Sequence, residues 1–366
     1  MPGLAGLAGA GVELRPRPGR RIGRADLVDA DALLVRSVTP VDARLLAHTA
    51  VRFVGSATAG TDHVDIAALR ALGVTFAHAA GANANAVVEY VLAVIAVCGD
   101  KLQRLFAGGR VGIVGYGNVG RQLAGRLHAL GLAWCAYDPW LDPAALRRPG
   151  RLEDVCACDV ITLHPSLTDA APYPSRHLFG QRELASTRAG ALIINASRGP
   201  VLDGAALGAW LAAGLGRAAL DVWETEPEVP EALAAAVDIA TPHIAGYSLD
   251  ARLRGTRRVL EALDRTLGTA LARHLGPPRR AALTLPAAGT AADRLRTLLL
   301  RVYDPRRDDA RLRAALAAAG SERAAAFDRL RLTYGERREL AGAMVTGGDA
   351  HSRQLARSLG CVFERE

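Results

Sequence analysis

Three residues in the second half of the chain, Arg198, Glu226 and His243, are of the types that bind an anionic molecule and move its proton. A guanidinium can hold a carboxylate through two parallel hydrogen bonds. An imidazole can exchange a hydroxyl proton near neutral pH, and a carboxylate beside it orients the ring. These groups together suit hydride transfer to or from a 2-hydroxy acid. Taken alone, each has an ordinary alternative: a surface ion pair for Arg198, a solvated loop acid for Glu226 and a core histidine for His243.

A glycine-rich string upstream of these residues has the spacing of a dinucleotide-binding turn. Gly115-Tyr116-Gly117-Asn118-Val119-Gly120 follows a predicted strand and opens a predicted helix. The three glycines permit a tight turn, close approach of the backbone to a pyrophosphate, and close helix–strand packing. Asp138 ends the next predicted strand, 18 residues beyond Gly120. Because a carboxylate there binds ribose hydroxyls and repels a 2′-phosphate, we expect NAD as the cofactor. The alternative is a purely structural glycine turn.

The elements that must position these residues alternate between short apolar strands and helices. The predicted strands lie at residues 32–37, 51–55, 74–77, 110–114, 135–138, 160–163, 192–195, 216–221 and 238–240. Buried strands separated by helices indicate an α/β fold with doubly wound parallel sheets, whose carboxyl-end loops converge on a cofactor crevice. The strands fall into two blocks joined by an apolar helix at residues 86–97. The loops that carry Arg198, Glu226 and His243 all follow strands of the second block.

The last quarter of the chain differs from the rest. Residues 276–280 are typical of a linker, and Ala- and Arg-rich helices are predicted at residues 311–319 and 323–331, in a smaller third α+β domain. Residues 273–366 hold 18 Arg against 11 Asp and Glu, so most of the net charge of +8 belongs to this segment. Nucleic acid, an acidic small molecule and an arginine-rich subunit interface are all compatible with such a charge.

Several strings together carry a family resemblance. Residues 60–65 and 85–90, taken with the three loops above, are similar to the D-isomer-specific 2-hydroxyacid dehydrogenase superfamily. Within it, the chain resembles the erythronate-4-phosphate dehydrogenase family through residues 35–39, 57–63, 243–247, 302–309 and 334–339. This resemblance covers residues 20–366, including a C-terminal domain that ordinary superfamily members lack.

The resemblance implies an activity and a set of site residues. The activity is the oxidation of 4-phospho-D-erythronate to 3-hydroxy-2-oxo-4-phosphooxybutanoate in pyridoxal 5′-phosphate biosynthesis, with NAD as hydride acceptor. His243 would be the acid/base, Glu226 would orient it and Arg198 would bind the carboxylate. The implied substrate contacts are Ser37, Thr58 and Tyr247, and the implied cofactor contacts are Gly115, Gly117, Asn118, Val119, Gly120, Asp138, Pro165, Asp221 and Gly246. Arg36, beside Ser37, is expected either to meet the phosphate or to form a structural salt bridge.

The resemblance also implies a domain plan. Residues 1–92 would form a flavodoxin-like substrate domain, residues 93–246 a Rossmann NAD domain, residues 247–275 a helix returning to the substrate domain, and residues 276–366 a domain that makes a homodimer. Two departures stand out. Family members begin with an apolar strand where this chain has the Gly/Ala-rich residues 3–11, so we expect that strand to be missing and the translation start to lie upstream. Pro165 replaces a threonine contact, which weakens that contact but not the assignment.

Other classes of function fit the sequence less well. The alternatives are another D-2-hydroxyacid dehydrogenase, of the phosphoglycerate or glycerate type, and a non-catalytic NAD-dependent scaffold. No run of about 18 apolar residues predicts a membrane span. Five cysteines without framework spacing indicate reduced thiols in a cytoplasmic protein, and Cys156 and Cys158 lack the partners of a metal site. We expect His63 to order its loop and no nucleic acid to bind. A contact of His164 with the cofactor region is the less favoured interpretation of that residue.

Overall fold

The structure is a computed structural model that describes residues 1–7, 10–276, 280–318 and 322–363. Its strands are β1 (Ala32–Val35), β2 (Phe53–Ser56), β3 (Thr75–His78), β4 (Arg110–Val114), β5 (Ala133–Tyr137), β6 (Val160–Leu163), β7 (Ala191–Asn195), β8 (Gly216–Leu220), β9 (Ile239–Ala240), β10 (Ala282–Thr284), β11 (Met344–Thr346) and β12 (Val362–Phe363). Its α-helices are α1 (Ala43–Leu46), α2 (Ile66–Ala71), α3 (Ala84–Val97), α4 (Lys101–Phe106), α5 (Asn118–Ala129), α6 (Leu152–Cys156), α7 (Gln181–Ala185), α8 (Gly204–Ala212), α9 (Glu231–Ala236), α10 (Leu249–Leu267), α11 (Ala291–Val302), α12 (Pro305–Ala318), α13 (Arg323–Leu332) and α14 (Ala350–Ser358).

The chain divides into two compact units. The first consists of Met1–Asn83 with Ser248–Arg279, and the second consists of Ala84–Tyr247 with Arg280–Glu366. The domain limits that the sequence suggests, at residues 92, 246 and 275, stay a prediction. Residues 277–279 of the expected linker and residue 319 of the expected helix lie outside the described residues. None of the helices in the described ranges is long and apolar enough to cross a bilayer.

The first unit is built on a three-stranded parallel sheet in the order β1-β2-β3. The strand β2 is buried throughout, because it lies between β1 and β3 and α10 packs against it. Phe53 of this strand shares an apolar cluster with Val259 and Leu263 of α10 and with Leu7. Residues 1–7 and 10–31 hold only short 3₁₀ turns before β1 begins. In the described part of that segment, no strand precedes β1.

The second unit contains a six-stranded parallel sheet in the order β5-β4-β6-β7-β8-β9. The order reverses direction at β4, which makes this sheet doubly wound and, with the first parallel sheet, confirms the α/β fold class. The first sheet runs in one direction, so its described strands are not doubly wound. The strands β6 and β7 are buried along their whole length, because helices cover both faces of a parallel sheet. The helix α3 is buried at every position except the last, which explains its almost uninterrupted apolar sequence.

The C-terminal segment of the second unit has its own small parallel sheet, in the order β10-β11-β12, and the helices α11 to α14. Leucines of α11 belong to the same apolar cluster as α3. Arginines add polar anchors within the chain: Arg296 Nε donates to Ala96 O at 2.8 Å, and Arg313 donates to Ala234 O at 2.6 Å. Some of the guanidinium groups of this segment therefore donate hydrogen bonds to backbone carbonyls of the same unit.

Candidate active site and cofactor cradle

The three candidate residues follow three adjacent strands of the large sheet. Arg198 follows β7, Glu226 follows β8 and His243 follows β9. The register pairs Asn195 with Leu220, and Leu220 with Ala240, so the three strands end at one level. Since the carboxyl ends of parallel strands meet at the same edge, the sheet gathers these loops where α/β proteins bind ligands.

Glu226 and His243 form a close pair. His243 Nδ1 lies 2.7 Å from Glu226 Oε2, and the other carboxylate oxygen accepts a hydrogen bond from the Trp223 amide at 2.9 Å. Burial alone would raise the pKa of Glu226, but the charge and hydrogen bond of His243 and the Trp223 amide bring this pKa below its ordinary value. An ionised Glu226 fixes the ring through Nδ1, which leaves Nε2 as the nitrogen that could exchange a proton.

Asp221 holds the backbone around His243. Its buried carboxylate accepts hydrogen bonds from Thr241 Oγ1 at 2.7 Å and from the amides of Ile244 and Ala245, each at 2.8 Å. The His243 amide donates to Asp221 O at 2.7 Å, and His243 has a φ of 55°, in the left-handed region. Burial raises the pKa of Asp221, although these hydrogen bonds oppose the shift. These contacts are structural, and the expected cofactor contact of Asp221 stays a prediction.

Arg198 lies in a loop that packs against the Glu226 loop. Its carbonyl accepts a hydrogen bond from Asn195 Nδ2 at 3.0 Å, and its Nη1 donates to Ser197 O at 2.8 Å. A Cβ on the next residue, Gly199, would overlap the backbone carbonyl of Trp223. Only glycine allows this approach, so Gly199 brings the loops after β7 and β8 together.

The glycine-rich turn between β4 and α5 forms a cradle. Gly115 has a φ of +86°, and a Cβ there would lie 2.6 Å from the Pro165 nitrogen. A Cβ on Gly120 would overlap the Gly115 carbonyl oxygen, whereas a Cβ on Gly117 would meet no described atom within 4 Å. Among the described residues, no side chain caps the start of α5. Its first amides, including those of Asn118 and Val119, are thus available to an anion.

A cavity of about 440 Å³ opens beside this cradle. Its lining includes Gly115, Gly117, Asp138, His164 and Pro165. Asp138 accepts hydrogen bonds from the Tyr116 amide at 2.8 Å and the Trp140 amide at 3.1 Å. Burial lowers the pKa of His164 to about 3, so its ring is neutral, and its buried Nδ1 has no hydrogen-bond partner among the described residues. Open glycines, free helix amides, a carboxylate and an unpaired ring nitrogen suit a dinucleotide.

The candidate substrate contacts of the first unit follow neighbouring strands. Arg36 and Ser37 come directly after β1, and Thr58 comes after β2, where Val35 is in register with Ser56. Ser56 Oγ lies 2.8 Å from Thr58 Oγ1 and 3.0 Å from His63 Nε2. Burial lowers the pKa of His63. These contacts support the interpretation that His63 orders this loop.

Tyr247 and Gly246 end the His243 loop, and the C-terminal segment reaches this loop with two arginines that sequence reasoning missed. The hydroxyl of Tyr247 accepts a hydrogen bond from Arg331 Nη2 at 3.1 Å. Arg337 Nη1 donates to Ala245 O at 3.0 Å. Residues 334–339 carried part of the family resemblance, but nothing in their residue types predicts that the guanidinium of Arg337 is buried under the active-site loop.

The described residues contain no group of three or more His, Cys, Asp and Glu that could hold a metal ion. Cys156 and Cys158 are both buried, and Cys158 Sγ lies 3.7 Å from Cys135 Sγ.

Comparison with known proteins identifies relatives of this chain. Residues 98–245 match the family model described as "D-isomer specific 2-hydroxyacid dehydrogenase, NAD binding domain", and residues 275–360 match a domain of unknown function (DUF3410). The erythronate-4-phosphate dehydrogenase of Stutzerimonas stutzeri is 46% identical over 92% of this chain and 90% of its own. The erythronate-4-phosphate dehydrogenase of Azotobacter vinelandii is 45% identical over 95% of this chain and 94% of its own. Among solved structures, the TT0316 protein of Thermus thermophilus matches with a TM-score of 0.60 and 25% identity, over 76% of this chain and 95% of its own.

Proposed function

Since the chain belongs to the erythronate-4-phosphate dehydrogenase family, among the D-isomer-specific 2-hydroxyacid dehydrogenases, we propose that it oxidises 4-phospho-D-erythronate with NAD. The product is 3-hydroxy-2-oxo-4-phosphooxybutanoate, and the reaction serves pyridoxal 5′-phosphate biosynthesis. The observation that carries the proposal is the 2.7 Å pair of Glu226 and His243, on loops at the edge of a sheet with a dinucleotide cradle. Such a pair removes the proton of a hydroxyl group whose carbon loses a hydride.

The roles of the three residues follow from their chemistry. His243 Nε2 takes the proton of the C2 hydroxyl, while Glu226 holds the ring through Nδ1 and stabilises the imidazolium that forms. Arg198 binds the substrate carboxylate and polarises the reacting oxygen. NAD, when bound, would supply the acceptor for the hydride of C2. The substrate would thus lose one hydride and one proton and become a ketone.

The cofactor contacts that we propose surround the cavity beside the cradle. The amides at the start of α5, including those of Asn118, Val119 and Gly120, would hold the pyrophosphate, and Asp138 would hold the adenosine ribose. Gly115, Gly117 and Pro165 line the same cavity. Asp221 and Gly246 contribute on the side of the His243 loop.

The substrate contacts that we propose are Ser37 and Thr58 of the first unit, with Arg36 next to Ser37 in the sequence, and Tyr247 of the second unit. Hydroxyl groups suit a polyhydroxy acid, because they can both donate and accept hydrogen bonds. Ser37 is exposed, while Thr58 and Tyr247 are half-buried, so each is accessible to a small molecule.

We also propose that the enzyme is a cytoplasmic homodimer, assembled through the C-terminal segment. We place this contact at the end of α13, where Leu332 is 86% exposed. Five free cysteines, all buried, suit a reducing compartment. Sedimentation of the full chain tests the dimer: a monomer at all accessible concentrations would contradict it.

A substrate panel tests the proposed reaction. Purified enzyme with NAD and 4-phospho-D-erythronate should form NADH, at rates well above those with 3-phosphoglycerate, glycerate or lactate. Turnover confined to one of the other three acids would instead identify a different 2-hydroxyacid dehydrogenase. NAD-dependent association without turnover of any acid would identify a scaffold.

A further inference from the structure

Arg331 of α13 reaches the loop that carries His243. Its Nη2 donates a hydrogen bond to the Tyr247 hydroxyl at 3.1 Å. Its guanidinium carbon lies 5.7 Å from the ring centroid of Tyr247 and also 5.7 Å from that of Phe327. Two aromatic rings therefore hold this cation in one place, beside a hydroxyl group that we propose as a substrate contact.

Arg331 makes few short polar contacts with its surroundings. Its side chain is only 15% exposed, and its Nη1 is 3.9 Å from Asp328 Oδ1, beyond hydrogen-bond distance. Among the described residues, its buried Nε has no hydrogen-bond partner. By contrast, Arg313 directs its Nε at Asp309 Oδ1, at 2.8 Å, and its terminal nitrogens at two carbonyls. A buried donor without an acceptor costs free energy of folding. An anion that supplies an acceptor to this guanidinium would therefore bind it strongly.

The cation is also within electrostatic range of the catalytic pair. Arg331 is one of the groups that hold the pKa of Glu226 low, after burial and the contributions of His243 and Trp223. The positive charge of Arg331 is therefore felt at the Glu226–His243 pair. It comes from the segment matched by the second family model, outside the match to the NAD-binding domain.

The proposed substrate carries two anionic groups, a carboxylate and a phosphate. Arg198 is the cation assigned to the carboxylate. Arg36 is one candidate for the phosphate, and Arg331 is a second, beside a Tyr247 hydroxyl that carries no charge of its own. We infer that Arg331 and the Tyr247 hydroxyl together bind the substrate phosphate, so that the C-terminal segment selects phosphorylated hydroxy acids. This inference rests on the proposed function, whose substrate it explains.

The test compares Arg331→Ala with the wild-type full chain on two substrates, 4-phospho-D-erythronate and D-erythronate. We expect kcat/KM for the phosphorylated acid to fall about 10- to 100-fold, the loss of one or two charge-assisted hydrogen bonds. The value for D-erythronate should fall much less, because that acid lacks the phosphate that Arg331 would bind. Inorganic phosphate should also bind the NADH-loaded variant more weakly than the NADH-loaded wild type, as titration calorimetry would show.

Two further variants separate binding from structure. Arg329→Ala removes an exposed arginine of the same helix and should leave both substrates unaffected. Arg331→Lys keeps a positive charge and should recover part of the preference for the phosphorylated acid. Unchanged NADH affinity and thermal unfolding would show that the variants are folded.

The outcomes are distinct. An equal loss of kcat/KM on both substrates, or no loss of phosphate binding, would overturn the role of Arg331 while leaving the proposed function in place. A wild-type enzyme that does not turn over 4-phospho-D-erythronate would overturn the proposed function itself. In that case, weaker binding of inorganic phosphate to Arg331→Ala would still support the anion site, and unchanged binding would refute it.

Discussion

Asp138 shows how one side chain could set the choice of cofactor. Its two carboxylate oxygens accept amide hydrogen bonds from Tyr116 and Trp140, so the charge is fixed at the end of β5 and lines the cavity. A carboxylate in this position binds ribose hydroxyls and repels a 2′-phosphate. The preference for NAD is therefore expected to depend on charge rather than on shape.

Asp138→Asn tests this dependence, because asparagine keeps the size of the side chain and one acceptor oxygen. We expect the ratio of kcat/KM for NADP to that for NAD to rise at least about tenfold, equivalent to about 1.4 kcal/mol. Steady-state kinetics with each cofactor measures the ratio. Asp142→Asn, at an exposed site, is the control. An unchanged ratio would show that Asp138 does not govern the choice.

Residue types and spacing pointed to the catalytic candidates, but they did not point to the residues that surround these candidates. Arg198, Glu226 and His243 stood out because each follows an apolar strand and carries a reactive group. Arg331 and Arg337 did not stand out, because an arginine in a basic helical segment is usually solvated. Their contacts with residues 245–247 depend on how α13 and the following loop pack, and no local pattern encodes that packing.

The helix α5 depends on close contact with the strand before it. Gly120 faces the Gly115 carbonyl oxygen, with no room for a Cβ, whereas Gly125 of the same helix would place a Cβ more than 4 Å from any described atom outside its own turn. The two glycines therefore offer a matched comparison of packing and helix propensity.

Gly120→Ala should destabilise the protein by about 1–3 kcal/mol, because the helix must shift away from the turn. NADH affinity should fall with it, since the same shift moves the free amides of α5. Gly125→Ala should instead stabilise the protein by up to about 1 kcal/mol, through the lower entropy of the unfolded chain. Denaturant unfolding and NADH titration measure both effects. If both variants lost stability equally, the close contact would not be the cause.

A buried carboxylate cluster joins α3 to the C-terminal segment. Asn85 Nδ2 donates to Glu89 Oε1 at 2.7 Å and to Glu339 Oε2 at 2.9 Å. Glu89 also accepts hydrogen bonds from the amides of Leu340 at 2.9 Å and Ala341 at 3.0 Å. Burial, and then the neighbouring charge of Glu339, raise the pKa of Glu89 to about 7. The folded protein therefore binds a proton here more tightly than the unfolded chain does.

This shift fixes the sign of a pH effect on stability. The contribution of Glu89 is fully present below its ordinary pKa and is lost as the pH rises through about 7. Glu89→Gln does not titrate, so the free energy of unfolding of the wild type, minus that of the variant, should decrease between about pH 5 and pH 8. Urea unfolding at several pH values measures this difference. The exposed substitution Glu261→Gln should show no such trend, and a rising difference for Glu89→Gln would contradict the assignment.

Across the whole molecule, the order of strands and helices was predictable from the sequence. The contacts that the arginines of the C-terminal segment make were not. The alternation of strands and helices gave the two parallel sheets, because buried parallel strands are continuous apolar runs. The arginine-rich tail suggested a subunit interface, yet Arg296, Arg313 and Arg337 bind carbonyls within the second unit. The dimer contact that we propose would therefore use other exposed residues of this segment, including Leu332.

The oxidation of 4-phospho-D-erythronate by the full chain is the most direct test of the proposed site. Wild-type enzyme should convert NAD to NADH with this acid, and His243→Asn should lower kcat by about 10²- to 10⁴-fold, the usual contribution of a general base. Its NADH affinity should be unchanged, and the exposed substitution His351→Asn should behave as wild type. Equal turnover by wild type and His243→Asn would contradict the assignment of His243 as the acid/base.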